Sequence, residues 1–215
     1  DNQPLKGNFD LKSNKIIADE FMAYADSSAA TDSTVAAAGV IIVPQNLDLS
    51  FTATAKNIDY NGLVLKDFKG QMDIAKGAII LKQTGFTLID APVVMDATYS
   101  SITPLKAAFD YHITAKDFDV KKAYNEIKIF HDLATSAASA EGIISIDYQL
   151  SGKLNDSMYP IYPSLKGGGV LTVKNVKMNG FKLFGAVSKS TGKDSINNPN
   201  LEGVNIKSTI ANNII

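Results

Sequence analysis

The side chains that could do acid–base, nucleophilic or metal chemistry are few and scattered in this chain. It has two histidines, His112 and His131, and no cysteine. His112 alternates with Tyr111 and Ile113, which predicts an outward-facing position on a strand, and His131 lies at the polar edge of a predicted helix. Because no nucleophile or carboxylate cluster attends either ring, we interpret both as solvated or capping side chains. A Ser-His-Asp triad stays open from the sequence, but no Gly-x-Ser-x-Gly motif supports one.

Two glycine patterns resemble phosphate-binding loops but lack the residues that such loops need. Gly192-Lys193 fails because Val187 occupies the place of the first glycine and Asp194 follows the lysine. The run Gly167-Gly168-Gly169 precedes a predicted strand, whereas a phosphate cradle needs a helix N-terminus. We therefore predict a turn at the three glycines.

The carboxylates Asp117 and Asp119 are the nearest approach to a catalytic pair. They lie beside a predicted helix start, where acidic side chains accept hydrogen bonds from free backbone N–H groups, so we expect caps. With no assembled constellation, the sequence predicts no catalytic residue, no metal site and no cofactor, and a chain that is not an enzyme.

Composition limits the classes of partner. Lysine and arginine number 21 against 22 acidic residues, so there is no basic excess to favour nucleic acid. The longest apolar run, from Val35 to Val43, is far shorter than the ~20 residues that span a bilayer. Because the chain starts at Asp1 and ends in strand-like sequence, we expect a segment of a longer protein, with any membrane anchor outside it.

Alternating apolar residues are the dominant pattern and predict β-strands. Asn61-Gly62 between two such runs predicts a two-residue hairpin, because a type I′ turn needs positive φ at both central residues. Turn residues recur at roughly ten-residue spacing, as in an antiparallel meander. The clearest alternations run from Leu47 to Ala55, Val93 to Tyr99, Phe109 to Ala115 and Ile144 to Leu150.

Interruptions of this alternating pattern predict the turns, loops and helices between the strands. We expect a turn at Ser13-Asn14, and a mobile loop from Ala23 to Gly39, where Ala, Ser, Thr and Asp dominate. Helical spacing from Val120 to Ala134, with Asp119 as the N-cap, predicts a helix, and a shorter helix is expected from Leu183 to Ser190. Separate short strands are predicted at 63–68, 71–76, 78–83 and 85–89.

Together these elements predict one domain over residues 1–215, mainly β with one or two short helices. The strands are expected to form a curved antiparallel sheet, either as an open groove or as a partly closed β-sandwich-like structure.

The order of these segments resembles the C-terminal region of the AsmA family, over most of the chain. The matching segments are Pro44 to Phe51, Ile58 to Leu65, Phe68-Lys69-Gly70, Phe109 to Val120, Gly142 to Gly152, Leu165 to Val173 and Asn179 to Gly185. All are strand-and-turn patterns, so their order carries the resemblance, and the insertion from Ala23 to Gly39 is not part of it.

The resemblance implies a non-catalytic envelope protein of double-membrane bacteria. Such proteins lie in the periplasm, are usually tethered to the inner membrane by an N-terminal helix, and support outer-membrane biogenesis and phospholipid transport along an apolar groove. Expected partners are therefore phospholipid or another acyl lipid, the inner membrane through an anchor outside this chain, and other envelope proteins, with no nucleic acid.

A groove lined by apolar strand faces would spare an acyl chain its contact with water, which costs about 0.8 kcal/mol per methylene. The alternative for each residue is an ordinary core, and for the chain a scaffold of outer-membrane assembly that binds no lipid. A glycan-binding sandwich would need exposed aromatic side chains on a flat face. The predicted lipid-binding residues are Leu49, Phe51, Val93, Met95, Tyr99, Phe109, Tyr111, Ile113, Ile144, Ile146, Tyr148 and Leu150, with Ala53 and Ala97 on the same faces.

Overall fold

A computed structural model describes residues 3–20, 39–133, 135–178, 189–190 and 200–211. Nine strands lie side by side in one sheet in the order of the sequence. Because β1 and β9 are its two edges, the sheet is not closed, and the expected mainly β fold with few short helices is confirmed. The strands are β1 (Leu5–Ile17), β2 (Leu47–Tyr60), β3 (Leu63–Ala75), β4 (Ala78–Leu88), β5 (Ala91–Thr103), β6 (Lys106–Asp119), β7 (Ala140–Leu154), β8 (Lys166–Met178) and β9 (Asn200–Ile210).

One pairing departs from the predicted antiparallel meander. Strands β2 to β9 pair antiparallel, but β1 runs parallel to β2, with Leu5 opposite Leu47 and Ile16 opposite Ile58. A parallel pair needs a crossover instead of a tight turn, and the chain between Ile17 and Leu47 supplies it. The predicted mobile loop from Ala23 to Gly39 lies, except for Gly39, outside the described residues.

Tight turns fix the register of the long strands. The Asn61-Gly62 hairpin is confirmed, with φ of 49° and 80°. The sequence analysis did not identify the equivalent turns at Lys76-Gly77 and Ile89-Asp90, where φ is also positive at both residues. The Asn61 N–H donates to the carboxylate of Asp19, which fastens this hairpin to the end of β1.

Bulges keep the strands long where the sequence predicted strand ends. Register shifts accompany positive φ at Asp67, Gln83 and Asp117, each inside a strand. At two of these bulges a side chain accepts a hydrogen bond from the backbone N–H: the Gln83 N–H donates to Asp96, and the Asp117 N–H donates to the Ser145 hydroxyl. Each bulge advances the chain by one residue, which restores the apolar positions to the same face.

Four predicted breaks are therefore wrong. The segments 63–68 and 71–76 belong to the single strand β3, and 78–83 and 85–89 belong to β4 with its following turn. Strand β1 continues through Ser13-Asn14. The three glycines from Gly167 lie inside β8, paired with β7 and β9, so they form no turn.

The predicted helix from Val120 to Ala134 consists of two short helices, α1 (Val120–Glu126) and α2 (Lys128–Leu133). Asp119 caps α1 as predicted, accepting a hydrogen bond of 2.9 Å from the Lys122 N–H. Helix α1 ends at Ile127, whose extended backbone interrupts the helix, and a 3₁₀ turn (Thr135–Ser139) follows α2. Of the second predicted helix, only 189–190 are described, and they are helical.

The two ends of the sheet carry different coverings. At the helix end, α1 and the 3₁₀ turn pack with strand residues into the main core, which includes Phe86, Val93, Phe118, Ala123 and Ile144. The strap end carries the turns Lys76-Gly77 and Pro104-Leu105 and an extended segment, residues 39–44, which we call the strap. The strap is held by hydrogen bonds of 3.0 Å from the Val40 N–H to the Pro104 carbonyl and 3.1 Å from the Val43 N–H to the Ser101 hydroxyl.

The Asn61-Gly62 hairpin provides a test of the turn chemistry. Gly62→Ala places a Cβ at φ of 80°, and we expect it to lower the free energy of unfolding by about 1–2 kcal/mol. Gly85→Ala is the matched control, because its new Cβ would meet its nearest atoms, two carbonyl oxygens, at 3.9 Å, an ordinary contact. Urea unfolding should show Gly85→Ala as stable as the parent chain; equal losses in both variants would contradict the turn assignment.

Candidate functional site

All twelve predicted lipid-binding residues lie on one face of the sheet, which we call the apolar face. Cross-strand pairing shows this, because directly opposite residues point to the same side. One row runs across the sheet through Phe51, Met72, Leu81, Ala97, Tyr111 and Leu150. The next row towards the strap end runs through Leu49, Ile74, Ile79, Tyr99 and Phe109.

The protein itself fills the helix end of the apolar face. Val93 and Ile144 are each only 4% exposed and belong to the core cluster beneath α1 and the 3₁₀ turn. Met95, Ile113 and Ile146 pack partly against that cluster. Val93 and Ile144 are therefore core residues and do not line open space. The space above them is occupied by α1 and the 3₁₀ turn, which together with α2 we call the helical layer.

The strap covers part of the opposite end. The Tyr99 hydroxyl donates to the Ile41 carbonyl at 2.8 Å, and its oxygen lies 3.8 Å from the Met158 sulfur, in the loop between β7 and β8. Burial raises the pKa of the Tyr99 phenol to about 12. Tyr99 therefore joins the sheet, the strap and this loop.

Between these two coverings the apolar face is half-exposed. Leu49, Phe51, Met95, Tyr111 and Tyr148 all keep part of their surface in solvent, whereas Leu150, in the middle of β7, is buried. The loop after β7 approaches α2, with the Lys128 ammonium 5.9 Å from the centre of the Tyr159 ring. The open part of the face therefore extends mainly over β2 to β6.

The sequence analysis missed the contribution of β3 and β4 to this surface. Met72 and Ile74 alternate with polar residues and carried a detectable signal, but the prediction of separate short strands left their face unassigned. Ile79 and Leu81 were hidden by the run Ile79-Ile80-Leu81, in which period-two alternation is lost. These residues complete both rows between β2 and β5.

Aromatic side chains on this face lie across glycines. The Tyr148 hydroxyl reaches Ser208 on β9 at 3.0 Å, and a Cβ at Gly169, on the intervening strand, would lie 2.6 Å from the Tyr148 ring. Gly152 is similarly overlaid by Leu165 and by the ring of Phe109. At each of the three β8 glycines the atom nearest to an added Cβ would be a backbone carbonyl oxygen of a neighbouring strand, at 2.7 Å or less, so close backbone approach explains why a glycine run occurs inside a strand.

Burial also acts on the central aromatic row. It raises the pKa of the Tyr111 phenol above its usual value, with a smaller contribution from Tyr148. Phe109 and Tyr111 stack with ring centres 6.0 Å apart. A tyrosine is already uncharged at neutral pH, and the raised pKa of Tyr111 extends that range to higher pH.

The opposite face of the sheet is polar. His112 faces outward, as predicted, and its Nε2 lies 2.6 Å from an Asp147 carboxylate oxygen. Asp73 accepts hydrogen bonds from Lys82, Ser50 and Gln71, and the Lys82 bond is the main reason its pKa lies below the usual range. These contacts join neighbouring strands side by side and converge on no shared reacting point.

The residues considered for chemistry have structural contacts of their own. Asp117 accepts from Lys174, which lowers its pKa, while Asp119 caps α1. The His131 ring lies 4.5 Å from that of Tyr124. In the described ranges no group of three His, Asp or Glu side chains could hold a metal ion. Gly192-Lys193 lies outside those ranges.

Comparison with known proteins gives no relative. No protein-family model matches the chain, and no curated protein or solved structure matches it either. No helix within the described residues is both long and apolar enough to cross a membrane. The functional assignment therefore depends on the geometry of the apolar face and on the segment order described above.

Tyr99→Phe tests the anchor of the strap. The pKa of the Tyr99 phenol is about 12 in the folded chain, whereas an unfolded tyrosine ionises near pH 10. The contribution of the protonated Tyr99 phenol to stability is therefore fully present below pH 10 and is lost as the pH rises to 12. At pH 8 we expect Tyr99→Phe to unfold at lower denaturant, since it lacks the bond to Ile41.

The difference in free energy of unfolding between the parent chain and Tyr99→Phe should shrink at pH 11, because only the parent chain has the Tyr99 phenol, whose contribution to stability falls as the pH rises. Denaturant unfolding at both pH values measures this, and Tyr60→Phe, at an exposed position, should leave stability at pH 8 unchanged. A difference that stays constant or widens between pH 8 and pH 11 would show that Tyr99 is not buried as described.

Proposed function

We propose that this chain is a non-catalytic periplasmic segment of a bacterial envelope protein that shields phospholipid acyl chains along its apolar face. The observation that carries the proposal is the half-exposed part of the apolar face between the helical layer and the strap, with Phe51, Met72, Leu81 and Tyr111 in its central row. The resemblance to the AsmA family supports the location, the anchor outside this chain and the role in outer-membrane biogenesis.

The dimensions suit a hydrocarbon ligand. Strands lie about 4.8 Å apart, so the five strands from β2 to β6 span about 19 Å, against about 15 Å for one leaflet of a bilayer core. Transfer of a sixteen-carbon acyl chain from water to fully apolar surroundings is favourable by about 12 kcal/mol. An open face covers one side of the chain only, so it provides a fraction of this, as reversible transfer requires.

The coverings are too short to close the face. Strand β6 has 14 residues, about 46 Å at 3.3 Å each, whereas α1 has seven residues and α2 has six, about 10 Å each. The strap adds residues 39–44 at the other end. Away from the β7–β8 loop, the middle of the long strands therefore keeps surface that no described residue covers.

A scaffold that binds no lipid is the competing function. It is favoured by the burial of Val93, Ile144 and Leu150, each 4% exposed, because the protein already fills the face at those positions. Under that alternative the half-exposed rows would be covered by a protein partner or by nothing, and acyl chains would not bind.

Tryptophan fluorescence separates the two functions without background, because the chain contains no tryptophan. Phe51→Trp places the reporter on the open apolar face, and Thr52→Trp places it on the polar face one residue away. We expect a phospholipid with short brominated acyl chains, kept below its micelle concentration, to quench Phe51→Trp and to leave Thr52→Trp unchanged. Equal quenching, or none, would exclude binding along this face.

A charge on the same surface should block uptake. Met72→Glu puts a carboxylate in the central row, where an acyl chain in contact with it would remove its water, and we expect about tenfold weaker uptake of a fluorescent phospholipid. Thr52→Glu, on the polar face of the adjacent strand, is the control and should bind like the parent chain. Circular dichroism confirms the fold of both, and unchanged binding by a folded Met72→Glu variant would argue for the scaffold.

A further inference from the structure

Large aliphatic and aromatic side chains are exposed together at the strap end. Ile42 in the strap is 48% exposed, Ile102 near the end of β5 is 53%, and Leu105 in the β5–β6 turn is 56%. Tyr162, in the loop between β7 and β8, is 49% exposed. None of them belongs to the half-exposed rows in the middle of the apolar face.

Hydrogen bonds join the segments that carry these side chains into one surface. The strap forms hydrogen bonds with Pro104 and Ser101, which lie on either side of Ile102. The Ser101 N–H donates to the carbonyl of Gly77, in the turn between β3 and β4. Ala107 pairs with Leu154, which places the β7–β8 loop beside the β5–β6 turn. We call this surface the tip, and it comprises Ile42, Ile102, Leu105, Tyr162 and the nearby Lys76, Lys106, Lys153 and Lys166.

The tip has an excess of positive charge although the whole chain has a net charge of −1. Its four lysines are exposed and form no ion pair with any residue in the described ranges. Among the described residues, the nearby carboxylates are Asp48, which is paired with Lys6 at 3.3 Å, and Asp156, which accepts from Ser157. At the helix end, by contrast, lysines are paired with carboxylates, as in Lys66–Asp90 and Lys121–Glu141.

We propose that the tip docks the protein on the surface of an anionic phospholipid bilayer. Ile42, Ile102 and Leu105 would enter the region between headgroups and acyl chains, and the Tyr162 ring would lie at headgroup level, where tyrosine is favoured. The four lysines would face the anionic phosphates, and screening by salt would weaken their attraction. This inference concerns a surface outside the proposed acyl-chain groove and goes beyond the proposed function.

The shape of the tip favours a bilayer over a protein partner. A stable protein interface buries about 800 Å² on each side, from 20 to 30 residues of complementary surface. The exposed apolar side chains of the tip come one each from four separate segments: the strap, the end of β5, the β5–β6 turn and the β7–β8 loop. A bilayer accommodates such separate projections, because lipid headgroups move aside around each one.

Vesicle flotation of the whole chain tests the docking. We expect the chain to float with vesicles of mixed phosphatidylcholine and phosphatidylglycerol, to float poorly with pure phosphatidylcholine, and to be released from the mixed vesicles by high salt. Ile102→Ser/Leu105→Ser should reduce partitioning about tenfold through lost apolar insertion. Lys76→Gln/Lys106→Gln/Lys166→Gln should abolish the preference for anionic vesicles.

Tyr60→Ser/Val64→Ser is the matched control, because these side chains are similarly exposed, 42% and 43%, beside the hairpin at the opposite end. It should float like the parent chain, and circular dichroism should show all variants folded. The proposal is overturned if the parent chain stays unbound to anionic vesicles, or if the control loses as much binding as the tip variants. Quenching of Phe51→Trp by monomeric lipid needs no vesicle, so failure of docking and failure of acyl-chain binding are distinguishable.

Discussion

A single β-sheet has two faces, and contact of an apolar face with water costs free energy wherever no other layer covers it. In this protein nine long strands form one open sheet, and among the described residues the helical layer, the strap and the β7–β8 loop cover only part of its apolar face. The polar face needs no cover, because ion pairs and hydrogen bonds such as Lys82 to Asp73 satisfy its groups in solvent. The exposed middle of the apolar face follows from this incomplete cover, and the proposed function depends on it.

Continuity of the apolar face depends on the bulges. A strand that gains one residue would turn every following side chain to the opposite side unless the extra residue were accommodated locally. Positive φ at Gln83 and Asp117 provides this, and Asp96 and Ser145 accept the freed N–H groups. Thr84 and Phe118, directly after these bulges, therefore still point into the apolar side, where both are buried.

The sequence predicted the face of each strand well and the lengths of the strands poorly. Alternation assigned all twelve candidate residues to one side, because side-chain direction follows from the period-two geometry of a strand. It gave false breaks at Ser13-Asn14 and at Gly167, since local turn preference at these residues is overridden by pairing with neighbouring strands. The parallel pairing of β1 left no local signal, because a crossover depends on tertiary contacts.

The sequence also did not predict which candidate residues are buried in the core and which are exposed. Val93 and Met95 lie two residues apart on one face, yet Val93 is 4% exposed and Met95 keeps part of its surface in solvent, because Val93 belongs to the core cluster and Met95 only packs against it. Helix α1 was predicted from its cap at Asp119, but its reach across the sheet is set by the break at Ile127. The extent of the open face is therefore a property of packing between layers.

The central claim is that hydrocarbon reaches the middle of the apolar face and not the core at the helix end. Methyl NMR with labelled methionine and a spin label on the acyl chain of a monomeric phospholipid tests it directly. The account predicts strong broadening of the Met72 methyl signal, in the central row, and little at Met178, which packs against the core at the helix end. Equal broadening of the two signals, or none at Met72, would contradict it.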